Sequence, residues 1–172
     1  VIDEQLPRDL ADMSAILTKV KLLKPDLLLV SGHSKGAATA VRQIGEQNGK
    51  VPMIGITHCE AAKVTKEFGA AANDILCPTQ WAETMTYSDP IFGTAREYHD
   101  QVQARFEMYK DRAVPYQTAQ ASAAMYVFMD AFQRAGSLDK EKVRDAIAAT
   151  NLKTFYGDVK FSDAGNNIAK PM

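Results

Sequence analysis

Apolar and polar positions along the first half of the chain follow two alternating patterns. Between residues 9 and 24, Leu10, Met13, Ile16, Leu17, Val20 and Leu23 recur at close to 3.6 residues, which predicts an amphipathic helix with Pro25 just beyond its end. The uninterrupted run Leu27-Leu28-Leu29-Val30 predicts a buried strand. Helical spacing returns over 37–48, with Ala37, Val41 and Ile44 on one side and Gly49 near the C-terminal end. A strand is predicted over 51–56, a helix over 59–68 ended by Gly69, and a short strand over 74–77 terminated by Pro78. Short strands alternating with helices imply parallel βαβ units joined by right-handed crossovers. The predicted fold class is therefore α/β, a parallel sheet flanked by helices.

The second half reads differently. An irregular stretch over 79–90 contains the only tryptophan, Trp81, and is followed by predicted helices over 91–110, 116–135 and 138–150. Ser137 and Asp139 are both candidate N-caps for the last of these. In the middle helix Ala121, Ala124, Val127, Phe128, Ala131, Phe132 and Ala135 form one stripe, which Met125, Tyr126 and Met129 widen. So broad an apolar surface implies a partner beyond one flat α/β layer. Residues 156–161 predict a strand and 162–167 a polar turn, and the sequence stops at Pro171-Met172 where a partner strand is expected to begin.

Composition narrows the picture only a little. With 172 residues, 46% hydrophobic and 24% charged, the chain is long enough to bury a sizeable core, roughly 70% of its unfolded surface. Twenty basic against 21 acidic residues leave no basic stripe, so nucleic acid is not an expected partner. No apolar run approaches the ~20 residues of a membrane span. The opening Val1-Ile2-Asp3-Glu4 has neither the basic nor the apolar region of a signal peptide, and the chain does not start with Met, which suggests a processed or excised piece. Cys59 and Cys77 lack a Cys-x-x-Cys spacing, and a zinc site would need His33, His58 and His99 to converge, so neither metal nor cofactor is expected. The two cysteines are either semi-buried thiols or a disulfide, since both fall near the same end of neighbouring strands.

The candidate chemistry lies at Gly32-His33-Ser34-Lys35-Gly36, between the first predicted strand and the following helix. As Gly-x-Ser-x-Gly it matches the nucleophile elbow of α/β-hydrolases, with Ser34 as nucleophile of a serine esterase. That mechanism needs an acid and then a histidine later in the chain. Only His58 and His99 follow, His99 falls inside a predicted helix, and no His-Gly oxyanion signature precedes Ser34. As a strand-loop-helix turn, the same segment offers backbone N–H groups to a small ligand. This second reading is preferred, with the esterase as the alternative.

The order of elements resembles the C-terminal portion of type I periplasmic binding proteins, the branched-chain amino acid and amide class that serves ABC transporters. The resemblance rests on Asp12-Met13-Ser14, Leu17-Thr18-Lys19-Val20-Lys21, Lys24-Pro25-Asp26, Val41-Arg42-Gln43, Val51-Pro52-Met53-Ile54-Gly55, Phe68-Gly69-Ala70-Ala71-Ala72, the segment Ala131-Phe132-Gln133-Arg134-Ala135-Gly136-Ser137 and the stretch from Tyr156-Gly157 to Phe161. It spans about 9–170. It implies a non-enzymatic solute-binding protein, periplasmic or extracytoplasmic (lipid-anchored if from a Gram-positive source), that passes a small-molecule ligand to an ABC permease. It also implies two lobes that close on the ligand, with 1–78 as the core of the second lobe, 79–150 as a hinge and helical return segment, and 151–172 as a second-lobe hairpin. The first lobe would be mostly missing from this chain. The apolar helix at 120–135 would then meet that lobe or a second copy, by dimerisation or exchange of segments.

Ligands in α/β sheets bind beyond the carboxyl ends of strands. The corresponding loops carry His33, Ser34, Thr57, His58, Gln80 and Trp81. Amino-acid-binding members of the resembled family place an acid after the second strand, where it meets the ligand ammonium. Here that position is Thr57, with Glu60 nearby, so a carboxylate or aromatic acid suits these residues better than an α-amino acid.

Overall fold

The computed structural model describes residues 3–7, 11–48, 50–59, 69–110 and 112–170. Two compact units share the chain, 1–79 and 80–172.

In the first unit, helix α1 (Ser14–Leu23) opens where the Asp12 carboxylate accepts from the Ser14 N–H (3.0 Å) and hydroxyl (2.7 Å). It closes at Lys24, whose left-handed backbone returns its N–H to the Val20 carbonyl, and Pro25 prevents continuation. Strand β1 (Leu27–Val30) has the predicted bounds but is not the buried strand expected, since only Val30 is buried while Leu27 and Leu29 are exposed on its other face. Helix α2 (Ser34–Glu46) starts three residues earlier than its apolar spacing suggested, because it begins directly after His33. Strands β2 (Met53–Ile56) and β3 (Ile75–Leu76) complete a parallel sheet of order β1-β2-β3. Leu27 pairs with Met53, Val30 with Ile56, and Ile54 with Ile75. The helix predicted over 59–68 lies, beyond Cys59, outside the described residues.

Met13 and Leu17, each 1% exposed, pack with Ala37, Ala40, Val41 and Ile44 of α2 and with Val30 and Ile56 of the sheet. Full burial of such side chains contributes about 1.5–3 kcal/mol each. One buried polar group stitches the helices together: the Gln43 amide accepts from the Met13 N–H and donates to Asp12 (2.9 Å). At Gly45 an added Cβ would lie 2.7 Å from the Ala71 Cβ, so only glycine admits the 3₁₀ turn Gly69–Ala72 this close to α2. The other face of the sheet carries exposed Leu27, Leu29, Met53 and Leu76.

The second unit corrects one predicted helix. Instead of starting at 91, the chain forms a short hairpin, β4 (Ser88–Asp89) with β5 (Gly93–Thr94), and only then α3 (Ala95–Arg105). A capping box decides the start, with the Thr94 hydroxyl accepting from the Glu97 N–H (3.1 Å) and the Glu97 carboxylate from the Thr94 N–H (2.7 Å). Helix α4 (Tyr116–Ala135) matches its predicted span and ends at Gly136, left-handed at φ 55°. Asp139 caps α5 (Lys140–Ala148), accepting from the Glu141 and Lys142 N–H groups, while Ser137 accepts from the Asp139 N–H. Strand β7 (Val159–Lys160) pairs upstream with β6 (Asn151–Leu152), and beyond the polar turn the Ile168 N–H donates to the Lys160 carbonyl at 2.8 Å. Phe161 adds an isolated bridge to Asn167.

The core of this unit is aromatic: Trp81, Tyr98, Phe155 and Tyr156 pack with Ala95, Val102, Ala119 and Ala123. Phe155 of the C-terminal segment thus shares a core with α3 and α4. The broad stripe of α4 divides: Tyr126, Val127 and Ala131 are buried, whereas Met125, Phe128, Met129 and Phe132 are 41–59% exposed.

Candidate functional site

At the carboxyl ends of β1 and β2, two loops of the first unit meet. The β1 loop, from Ser31 to His33, has no side-chain cap for α2: His33 is the N-cap residue, extended at φ −98°, and its imidazole makes no capping bond. With Ser34 and Lys35 exposed and Gly36 buried, the first two N–H groups of the 13-residue helix face outward, with the partial positive charge of the helix end behind them. Gly32, His33, Ser34 and Lys35 are all exposed. At Gly32 an added Cβ would meet no atom of the described residues within 4 Å.

The β2 loop is fastened to it by one side chain. Thr57 continues the parallel ladder, its N–H donating to the Val30 carbonyl at 3.1 Å. Its hydroxyl accepts from the Gly32 N–H and donates to the Gly32 carbonyl, both at 2.9 Å. The Thr57 proton is thus committed to the loop, so this residue positions Gly32 and does not offer a free donor. His58 follows in the left-handed region (φ 60°), and its ring lies 5.9 Å from that of His33, tilted by 51°. The structure therefore brings together His33, Ser34, Thr57 and His58. Directly after His58, Cys59 is bonded to Cys77, which resolves that pair as a disulfide.

The remaining two predicted residues belong to the second unit. Trp81 is buried in the aromatic core, where its indole N–H donates to the Phe155 carbonyl (3.2 Å) and its ring meets Tyr98 and Phe155 edge-on. That is the packing arrangement of the tryptophan, with no open stacking face toward solvent. Gln80 is exposed, its side-chain oxygen accepting from the Tyr156 hydroxyl at 2.9 Å.

Beside Gln80 lies a group that sequence reasoning missed. The Lys170 ammonium sits 3.3 Å from the centroid of the Tyr156 ring and donates to the Gln80 carbonyl. The only signal was Gly157: a Cβ there would stand 2.9 Å from Lys170 Cδ, so glycine makes room for the lysine stem. Burial pushes the Tyr156 hydroxyl up to about 12 and Lys170 down from 10.5 to about 8. Between pH 8 and 10.5 the unfolded chain then binds a proton that the folded one has released, so stability rises with pH across that window. A ¹³C-detected titration of the Lys170 Cε should give a midpoint near 8; a midpoint at the ordinary lysine value would show the side chain solvated.

The nucleophile-elbow reading fails on backbone geometry. An elbow holds its serine on a strained strand-to-helix turn. Ser34 instead occupies the regular first turn of α2, and the left-handed non-glycine residues among those described are Lys24, Asn48, His58 and Asp74. His99 sits in α3 of the second unit, buried, with Nδ1 3.0 Å from Asp100.

A profile of the family described as periplasmic binding protein matches residues 1–172. Among solved structures, the chain is similar to a leucine binding protein, LivK, from Thermotoga maritima MSB8, with a TM-score of 0.76 and 25% identity over 92% of this chain and 43% of that one. It shares its fold with the solute binding protein of an ABC transporter from R. palustris in complex with benzoate, at TM-score 0.69 and 16% identity over 92% of this chain and 42% of that one. The chain thus spans less than half the length of these two proteins.

Proposed function

The chain belongs to the periplasmic binding protein family, and on that premise we propose that it takes part in capturing a small organic acid outside the cytoplasm for delivery to an ABC permease. The family itself implies an extracytoplasmic location, and no helix among the described residues is long and apolar enough to cross a membrane. The observation that carries the reading is the Thr57 bracket on Gly32, which preorganises two loops at the carboxyl ends of adjacent parallel strands, where α/β sheets bind ligands. Outward N–H groups at the start of α2, with His33, Ser34 and His58 around them, present donors to a carboxylate, and the imidazoles present faces to an aromatic ring. An α-amino acid also needs an anionic partner for its ammonium. Thr57, at the position that would supply one, is neutral and already engaged. The exposed stripe Met125, Phe128, Met129 and Phe132 on α4 is the proposed seat of the remainder of the fold or of a second copy.

Calorimetric titration with benzoate and with leucine tests the reading. Benzoate should bind measurably, leucine more weakly, and Thr57→Val should weaken benzoate roughly tenfold, the equivalent of one or two net hydrogen bonds. Binding of leucine in preference to benzoate would sink the assignment of ligand class. Turnover of p-nitrophenyl acetate abolished by Ser34→Ala would instead restore the esterase.

A further inference from the structure

The turn Thr57-His58-Cys59 carries one imidazole of the proposed site, and its backbone is held from both ends. At the near end Thr57 is fixed to the β1 loop through Val30 and Gly32. At the far end Cys59 is buried, its sulfur 2.9 Å from the Ile56 carbonyl oxygen. A bonded sulfur has no proton to donate, so this is a packing contact. The same sulfur is joined to Cys77, the residue immediately after β3, with 5.7 Å between the two Cα atoms. Between these anchors His58 holds φ 60°, a conformation that a side chain with a Cβ keeps only where its surroundings over-determine it.

We propose that the Cys59–Cys77 disulfide is the positioning element of the His58 turn, so that the strand-end site is assembled in the oxidised protein and loosened in the reduced one. The proposal rests on the functional reading above. The switch is a two-electron exchange. A dithiol such as dithiothreitol attacks Cys77, the less buried of the pair, and the sulfur–sulfur bond opens. Two protein thiols form, taking the two dithiol protons, and the reductant leaves as its cyclic disulfide. Cys59 then keeps no covalent link to β3 except the chain itself, across a separation of 18 residues, and is held there by core packing and a sulfur 3.9 Å from the Leu76 carbonyl oxygen. The covalent restraint that closes this loop is lost, and the far end of the left-handed residue is held by noncovalent contacts alone.

Amide hydrogen exchange on the oxidised and the dithiothreitol-reduced protein, with benzoate titrated into each, tests this. The Thr57 and Gly32 amides, whose acceptors are Val30 and Thr57, should lose protection roughly tenfold more than the amides within β1, and benzoate affinity should fall by a similar factor. In His58→Gly, where the left-handed backbone no longer needs outside support, reduction should leave the Thr57 and Gly32 amides nearly unchanged. Equal loss of protection across the whole first unit would make the disulfide a general staple and overturn the proposal, as would no change at Thr57 and Gly32. Failure of the oxidised protein to bind benzoate would remove the site assignment alone, because the exchange comparison still decides what the disulfide holds.

Discussion

Trp81→Ala should destabilise the second unit by about 3–5 kcal/mol, the usual cost of emptying a buried aromatic position. The indole is 2% exposed and lies 5.7 Å from Tyr98 and 6.1 Å from Phe155, edge-on to both rings. Phe155, with no exposure, stacks in turn on Tyr98 at 4.0 Å, so the cavity would open at the centre of a connected aromatic cluster. Trp81→Phe should recover most of the loss. It keeps a ring in the cluster and forfeits mainly the bond to the Phe155 carbonyl, worth about 1 kcal/mol. Denaturant unfolding followed by circular dichroism measures both variants, since the only tryptophan is removed in each. A tryptophan that serves as a ligand platform would give the opposite pattern, with unchanged stability and lost binding.

Asp89→Ala is the second large effect, expected at about 3 kcal/mol from the loss of a buried acceptor. The carboxylate is 8% exposed and accepts three backbone N–H groups: Ile91 (2.9 Å) and Phe92 (2.7 Å) on one oxygen, Phe155 (2.8 Å) on the other. It thus closes the β4–β5 turn and ties it to the aromatic core. Deleting it strands three donors, and each buried donor left without an acceptor costs about 1–3 kcal/mol. Asp89→Asn is the more telling substitution, because it is nearly isosteric. One oxygen still serves Ile91 and Phe92, but an amide N–H₂ then faces the Phe155 N–H, donor against donor. Thermal unfolding should rank the aspartate above asparagine and asparagine above alanine. Asparagine equal to aspartate would show that the link to Phe155 contributes nothing.

Much of this arrangement was legible from local pattern. The Leu27 to Val30 run and the apolar spacing of 116–135 appear as β1 and α4 with their predicted bounds, because neighbouring residues alone set those periods and ends. The Lys24-Pro25 stop and the Asp139 cap are equally local. The β4–β5 hairpin was not legible. Ser88-Asp89 and Gly93-Thr94 are only two residues each, and what fixes them is Asp89 bonding to Phe155, 66 positions away.

The candidate site divides in the same way. Gly32-His33-Ser34 and Thr57-His58 could be placed at strand ends from sequence, since βαβ order dictates where loops fall. Their roles could not. Whether Thr57 faces a ligand or clasps Gly32, whether His33 and His58 adjoin, and whether Cys59 and Cys77 bond all depend on the register of β1 against β2 and of β2 against β3. Trp81 makes the same point: it lies in irregular backbone as expected, but its side chain is buried in a core. Amphipathic period, caps and breakers act over a few residues, so the chain alone determined the α/β order and the location of its strand-end loops. Pairing between distant segments is set by packing, and only the tertiary structure decided which of those loop residues face outward and which hold the others in place.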